Sequence, residues 1–191
     1  MKTVRMLSVA TLLATSVGAQ AAGISYDYVE GSFGEYDEAD ALYIGGSKGL
    51  DKQFGILGSF GILDHKNLEV TAIRGGGFFH TPIQKNLDFF ATLELVWTDF
   101  ESEVTLPFFG TVKASDDDIG FAAAGGMRFA VQDNLQVEGK LTLTEVDPYE
   151  DGLGINLNGR YFFNKQLSGA LGLASDAEFD GLYLNLRYDL K

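Results

Sequence analysis

The chain has 191 residues, a formal net charge of −13 and no cysteine. This length suits a single domain, the absence of cysteine excludes disulfides and thiolate metal sites, and the acidic balance makes nucleic acid a poor partner. With 24 glycines, 3 prolines and 13% aromatic residues, the composition is wrong for a disordered chain and is typical of a sheet protein.

The first 22 residues, MKTVRMLSVATLLATSVGAQAA, have the pattern of a secretory signal peptide. A basic start precedes an apolar core at 6–17, and the small-x-small cleavage site AQA follows it. We therefore predict cleavage after Ala21 or Ala22, which leaves residues 23–191 as the exported domain. No later apolar run is long enough for a transmembrane helix, so any membrane crossing must use strands.

Alternation of apolar and other residues recurs along the exported domain and predicts ten β-strands. The predicted strands lie near 24–36, 40–50, 53–63, 68–80, 87–99, 119–130, 135–146, 153–163, 167–175 and 181–191. No helical periodicity competes with this pattern.

The connections between these strands alternate in character. Short turns are predicted at DK, TPIQKN, VQDN and NKQ. The other connections, EYDEAD, LDHKNL, DFESEVTLPFFGTVKASDDD, DPYEDG and SDAEFDG, are mostly longer and hold most of the 27 acidic residues. This sidedness predicts an all-β, antiparallel, up-and-down transmembrane barrel in a Gram-negative outer membrane, with the short turns on the periplasmic side. Eight strands with a larger extracellular hairpin are the alternative.

The two faces of the predicted strands differ in charge. One phase is uncharged and apolar, as in QVEGKLTLTE, where the aliphatic side chains alternate with Glu138 and Lys140. The charged residues of the other phase are Arg74, Glu94, Arg128, Glu138, Lys140, Arg160 and Arg187. Turning four or five basic residues to lipid would cost about 10 to 20 kcal/mol, more than a typical folding free energy. We therefore predict that these seven residues form a structural charge network in the lumen.

A soluble β-sandwich also alternates, but its solvated face usually carries Thr, Lys and Glu. Here the polar phase is rich in Gly and Ala, which fit the crowded inside of a closed barrel. Aromatic residues gather at both strand ends and predict two lipid-facing girdles, with Phe100 assigned to the acidic side. In the first strand we expect Val29 and Phe33 to face outward and Glu30 to face the lumen.

The segment GISYDYVEGSF, with its YxYVEG pattern, resembles the opening strand of a family of small proteobacterial outer-membrane barrels. That family was once described as a secreted quorum signal and plant-immunity elicitor. The resemblance, which extends to the strand order and the length, implies an outer-membrane barrel without an established biochemical activity and carries no catalytic residues over. One departure is the ending LNLRYDLK, because such barrels usually end on an aromatic residue that the barrel-assembly machinery reads.

An enzyme is poorly supported by the sequence, and we predict no catalytic, cofactor or metal site. Outer-membrane proteases of ten strands need a paired His and Asp at the extracellular rim, where Asp64 and His65 are the only candidates. His80 lies at the opposite end. The acidic clusters are typical of solvated loops, although they could reach lipopolysaccharide phosphates through divalent cations.

Two interpretations of the lumen stay open. The charges form a salt-bridged plug, or small residues on strands six and nine leave a polar pocket or narrow pore. Leu106, Phe108 and Phe109 are unusually apolar for an outside segment and form either an adhesive tip or the end of an extended hairpin. We expect a monomeric, non-enzymatic outer-membrane protein in envelope integrity, adhesion or surface contact, with a narrow channel for small solutes as the alternative and an outer-membrane hydrolase as a remote one.

Overall fold

The computed structural model describes residues 24–37, 39–65, 68–106, 110–146, 152–175 and 180–190. Its strands are β1 Tyr28–Tyr36, β2 Ala39–Gly49, β3 Phe54–His65, β4 Leu68–Gln84, β5 Leu87–Leu106, β6 Gly110–Gln132, β7 Leu135–Glu145, β8 Gly152–Phe162, β9 Leu167–Ser175 and β10 Asp180–Asp189. The predicted signal peptide lies outside the described residues. Within them, no helix is long and apolar enough to cross a membrane.

The strands form one closed antiparallel barrel. Each strand pairs with the next, and β1 closes the ring on β10, from Tyr28 opposite Asp189 to Tyr36 opposite Gly181. Because the ring is closed, each strand has a hydrogen-bonded neighbour on both sides. Strands that cross hydrocarbon require this, since no water is available there to bond an open strand edge. The prediction of a ten-stranded up-and-down barrel is confirmed. The eight-strand alternative is wrong, because all ten predicted segments pair separately in the ring.

One end of the barrel, which we call the turn end, carries the short connections at 50–53, 85–86, 133–134 and 163–166. The side chain of Asp51 organises one of these turns by accepting the backbone N–H groups of Gln53 and Phe54, both at 2.7 Å. These bonds lower the pKa of the Asp51 carboxyl. The opposite end, which we call the loop end, carries the acidic connections.

The outer surface of the barrel is apolar. Leu93 and Leu95 are 64% and 69% exposed, whereas Glu94 between them lines the lumen. Strand β1 follows the same rule, since Val29 and Phe33 are exposed and Glu30 lines the lumen. The alternation of the sequence therefore separates an apolar outer face from a polar interior.

Two strands extend well beyond the predicted bounds. Strand β5 pairs with β6 as far as Leu106 opposite Gly110, so most of the predicted long loop is a hairpin. This hairpin projects beyond its neighbours, because pairing with β4 stops at Ser102 and pairing with β7 stops at Phe121. An extended hairpin is one of the two interpretations of this segment, and the described residues adopt it, with a continuous ladder between the two strands.

Two further expectations differ from the structure. Residues 24–27 do not belong to the first strand, which begins at Tyr28. Phe100 is not part of a lipid-facing girdle, because it shares the phase of Val96 and Thr98 and is buried. Inside the loop half of the barrel, Val96, Ala122 and Val146 form a small apolar cluster.

We predict that Leu141→Arg, on the outer face of β7, lowers the free energy of unfolding in lipid vesicles by about 2–4 kcal/mol, because it places a cation in hydrocarbon. The control is Val131→Arg, an outward position beside a turn, for which about 0–1 kcal/mol is expected. Urea titration measures both values. Equal costs at the two positions would contradict the assignment of Leu141 to mid-membrane depth.

Candidate functional site

The lumen is filled at the turn end by the N-terminal segment Ile24–Asp27. Its backbone is fixed from several strands: the Ser25 carbonyl accepts from Arg187, the Tyr26 carbonyl accepts from the Ser47 hydroxyl, and the Asp27 carbonyl accepts from the Leu190 N–H at 2.9 Å. The segment therefore folds into the barrel mouth instead of extending β1.

The ring of Tyr26 is the centre of this arrangement. It stacks on His80 and Phe78, with ring centroids 4.0 and 5.1 Å away, and it packs in one buried cluster with Phe78 and Phe90. The Tyr26 hydroxyl donates to Asp88 at 2.9 Å, and the imidazole Nδ1 of His80 lies 3.0 Å from the same carboxylate oxygen. Aromatic packing and a charge-assisted hydrogen bond thus hold the ring across the lumen.

Asp27 ties the segment to the end of β2, next to the β2–β3 turn. Its carboxylate is buried and accepts from the Gly49 N–H at 2.7 Å and from the Lys48 ammonium at 2.9 Å. A buried carboxylate requires such partners, since desolvation without them costs several kcal/mol.

A layer of paired charges lies directly above the segment. Arg128 donates through Nε to Glu138 at 2.5 Å, and its guanidinium carbon lies 4.6 Å from the centroid of Tyr26 and 4.9 Å from that of Phe90. Arg128 is 6% exposed, so its charge is compensated by Glu138 and by the ring faces rather than by water.

The two remaining arginines of this layer come from β8 and β10. Arg187 pairs with Asp189 at 2.8 Å, and its guanidinium carbon lies 3.6 Å from the Tyr28 ring centroid. Arg160 donates to Asn185 at 2.9 Å and pairs with Glu30 at 3.4 Å. Together with Arg128 and Glu138 they form what we call the charge layer.

Small residues make room for these large side chains. A Cβ at Gly126 would lie 2.6 Å from the Phe90 ring, which is too close for any real contact. A Cβ at Gly172 would likewise overlap the Tyr183 ring. The Gly-rich and Ala-rich interior phase seen in the sequence is therefore the complement of aromatic and guanidinium groups that cross the lumen.

Above and beside the charge layer the lumen contains a cavity of about 510 Å³, which we call the lumen chamber. Its floor is formed by Tyr26, Phe90 and Arg128, and its wall continues to Tyr36 and Val146 at the loop end. The wall is polar: the Tyr183 hydroxyl donates to Asn156 at 2.7 Å, and the Tyr43 hydroxyl donates to Ser59 at 2.6 Å.

The seven charged residues predicted for the lumen all line this cavity, but they divide into two groups. Arg128, Glu138, Arg160 and Arg187 belong to the charge layer. Arg74, Glu94 and Lys140 form no ion pair with any other described residue and face the lumen chamber. Of the predicted network, only the residues nearer the turn end form ion pairs with described residues.

The other sequence candidates lie elsewhere. Leu106 ends β5, and Phe108 and Phe109 lie outside the described residues. Asp64 is exposed near the end of β3, and His65 is opposite Leu68 at the end of the β3–β4 hairpin. No cluster of three His, Asp or Glu residues suited to a metal ion occurs in the described ranges.

Sequence reasoning missed the groups that anchor the N-terminal segment. Asp88 and Asp189 lie at inward positions of the alternating pattern, as the lumen arginines do, and this pattern could have identified them. The role of Tyr26 had no such signal, because SYDY alternates like the start of a strand. Only its contacts with distant strands show that it turns inward.

Comparison with solved structures supports the fold. The NanC porin superposes with a TM-score of 0.57 at 8% identity, over 85% of this chain and 100% of that chain. The KdgM porin in complex with disordered oligogalacturonate superposes with a TM-score of 0.51 at 8% identity, over 86% of this chain and 99% of that chain. The beta domain of the Bordetella autotransporter Brka superposes with a TM-score of 0.52 at 14% identity, over 86% of this chain and 99% of that chain.

No protein-family model matches the chain, and no curated protein matches it. At these identities the structural matches show the fold alone: the chain has the porin-like fold of outer-membrane β-barrels. The resemblance of the YxYVEG segment to one family stays a prediction.

We predict that Glu138→Gln lowers the free energy of unfolding by about 3–5 kcal/mol, because it leaves the buried Arg128 guanidinium without its counter-charge. Glu145→Gln, an exposed position on the same strand, is the control and should change stability by about 0.5 kcal/mol at most. A double-mutant cycle with Arg128→Met, measured by urea titration, isolates the pair. Additive effects of the two substitutions would show that Arg128 and Glu138 are not coupled.

Proposed function

We propose that this protein is a non-enzymatic barrel of the bacterial outer membrane that is closed to ion flow and that acts through its acidic loop end. The N-terminal segment carries this proposal. Tyr26, Phe78 and Phe90 fill the lumen at the turn end, and the charge layer lies directly above them. A ten-stranded ring is near the size that side chains can fill, far below that of water-filled porins.

The loop end is then the part of the protein that is available for contact with the surroundings. The carboxylates of Glu35, Asp40, Asp116 and Asp117 are exposed there. Such a surface suits a role in envelope integrity, adhesion or contact with a host surface, and the protein can serve it as a monomer. The sequence similarity of the first strand to barrels without an established biochemical activity fits this proposal.

A narrow channel for small solutes is the second candidate. The lumen chamber favours it, because a cavity of about 510 Å³ reaches most of the way through the barrel. The fold is shared with two porins, although that likeness does not extend to what they transport. The channel requires the N-terminal segment to leave the turn end, so the two candidates differ in a measurable property.

We predict that the wild-type barrel in planar bilayers shows no discrete conductance steps. The variant Tyr26→Gly/Phe90→Ala should show them, because it removes two rings that cross the lumen. The matched control is Phe54→Ala/Phe129→Ala, which removes two rings from the outer face. Altered gel mobility on heating reports that each variant folds. Steps from the wild-type barrel would favour the channel, and a silent Tyr26→Gly/Phe90→Ala barrel would show that other groups close it.

The acidic loop end also leads us to propose lipopolysaccharide as a partner, bridged by divalent cations. Asp116 and Asp117 are exposed on the projecting hairpin, where carboxylate oxygens can share Mg²⁺ or Ca²⁺ with phosphates. We predict that Asp116→Asn/Asp117→Asn weakens magnesium-dependent co-sedimentation of the barrel with lipopolysaccharide, whereas Asp133→Asn at the turn end does not. Binding that persists after chelation of divalent cations would contradict the proposal.

A further inference from the structure

The β5–β6 hairpin leaves one strand edge open above the barrel. Pairing of β6 with β7 stops at Phe121 opposite Glu145, but β6 begins at Gly110. From Gly110 to Gly120, no residue in the parts of the chain that the structure describes pairs with this side of β6. At about 3.3 Å per residue, this open edge is about 35 Å long. The opposite edge of the hairpin is much shorter, because β5 ends four residues beyond its last pair with β4.

The hydrogen-bonding groups of the open edge belong to alternate residues. In an antiparallel pair, a strand exchanges N–H···O bonds with one neighbour through every second residue and turns the groups of the others to the opposite side. The Ala130 N–H donates to the Asn86 carbonyl at 2.8 Å, at the start of the β5–β6 ladder, so the even-numbered residues of β6 bond to β5. The N–H and C=O groups of the odd-numbered residues, Ser115 and Asp117 among them, therefore point to the open side.

The open edge lacks two of the features that usually prevent a further strand from adding to a sheet. Its sequence, GTVKASDDDIG, contains no proline, and the β5–β6 ladder has no bulge. The side chains of residues 113–117 are all exposed, so no described element covers this part of the edge. Charge is the remaining protection, because Asp116, Asp117 and Asp118 follow one another in the strand.

This charge determines which kind of strand can pair with the open edge. The sequence from Asp99 to Asp118 contains six acidic residues and one lysine. An acidic strand, including the same segment of a second copy, would bring like charges together, which is destabilising between neighbouring strands. An antiparallel pair of two copies also requires barrels of opposite orientation, whereas barrels in one membrane share an orientation. A strand rich in lysine or arginine meets neither obstacle and can contact Asp116 on one face and Asp117 on the other.

We propose that the open edge of β6 binds an extended, basic segment of another protein by strand addition. The backbone groups of Ser115 and Asp117 bond to the backbone of the segment, and the carboxylates of Asp116 and Asp117 contact its cationic side chains. In this mode of recognition, backbone bonds supply affinity and side chains supply selectivity. The inference rests on the proposed role of the loop end in contact with the surroundings, and not on closure of the lumen.

The test uses three fluorescent octapeptides with blocked ends. The first is Lys-Thr repeated four times, the second is the same peptide with its internal amide nitrogens methylated, and the third is Glu-Thr repeated four times. Methylation removes the backbone donors and keeps all four positive charges. Binding to the folded barrel in a non-ionic detergent is measured by fluorescence anisotropy. We expect the first peptide to bind at least about tenfold more tightly than the methylated peptide, and the acidic peptide to bind more weakly than both.

Two proline substitutions separate the open edge from the rest of the hairpin. Ser115→Pro removes a backbone N–H from the open side of β6, so it should weaken binding of the Lys-Thr peptide at least about tenfold and leave the methylated peptide unaffected. The matched control is Thr105→Pro, on the opposite edge of the same hairpin, which should leave both affinities unchanged. Asp116→Asn/Asp117→Asn should weaken both basic peptides, because it removes charge and leaves the edge intact. Altered gel mobility on heating verifies that each variant is folded.

Three outcomes would overturn the proposal. Equal affinities for the methylated and unmodified basic peptides would show attraction by charge alone. Equal losses of affinity in Ser115→Pro and Thr105→Pro would show that the open edge has no special role. Self-association of the wild-type barrel that Ser115→Pro abolishes would identify a second copy as the occupant instead. Because the peptides bind outside the lumen, each of these outcomes is distinguishable from a failure of the proposed closure, which conductance in planar bilayers reports.

Discussion

Closure of β1 on β10 is the constraint on which the rest of the structure depends. A strand edge cannot remain open in hydrocarbon, so the ten strands must complete a ring before the apolar phase can face lipid. Once the ring is complete, every charged residue of the other phase is confined to a narrow interior. The interior must then accommodate these large charged side chains and the aromatic rings, and the small residues of β6 and β9 leave the space for them.

The protein compensates its interior charges in two ways. Near the turn end, Arg128 and Arg187 are almost completely buried and are compensated by carboxylates, carbonyls and aromatic faces. Farther from the turn end, in the middle of their strands, Arg74 and Lys140 are half-buried and line an open cavity. Water can reach the second group, so these residues need no protein partner for the barrel to be stable.

The sequence predicts most of the barrel because one strong preference acts on every strand. The cost of an ionised group in lipid determines the phase, so Glu94 and Lys140 could be assigned to the interior from their neighbours alone. The sequence does not predict where the β5–β6 hairpin ends, because outside the membrane an ionised side chain on either face of a strand carries no such cost. There, Asp99 is opposite Asp117, and backbone pairing rather than side-chain preference maintains the strands.

The N-terminal segment could not be predicted for a different reason. Its alternation is that of a strand, and local propensity gives no reason for Tyr26 to turn inward. The deciding contacts come from residues distant in sequence, among them Asp88 on β5 and Arg187 on β10. These groups would otherwise be buried charges with fewer partners, so the segment and the charge layer depend on each other. A rearrangement that withdrew Tyr26 would also leave part of the charge layer with fewer partners, which favours the arrangement in which the segment lies inside the barrel mouth.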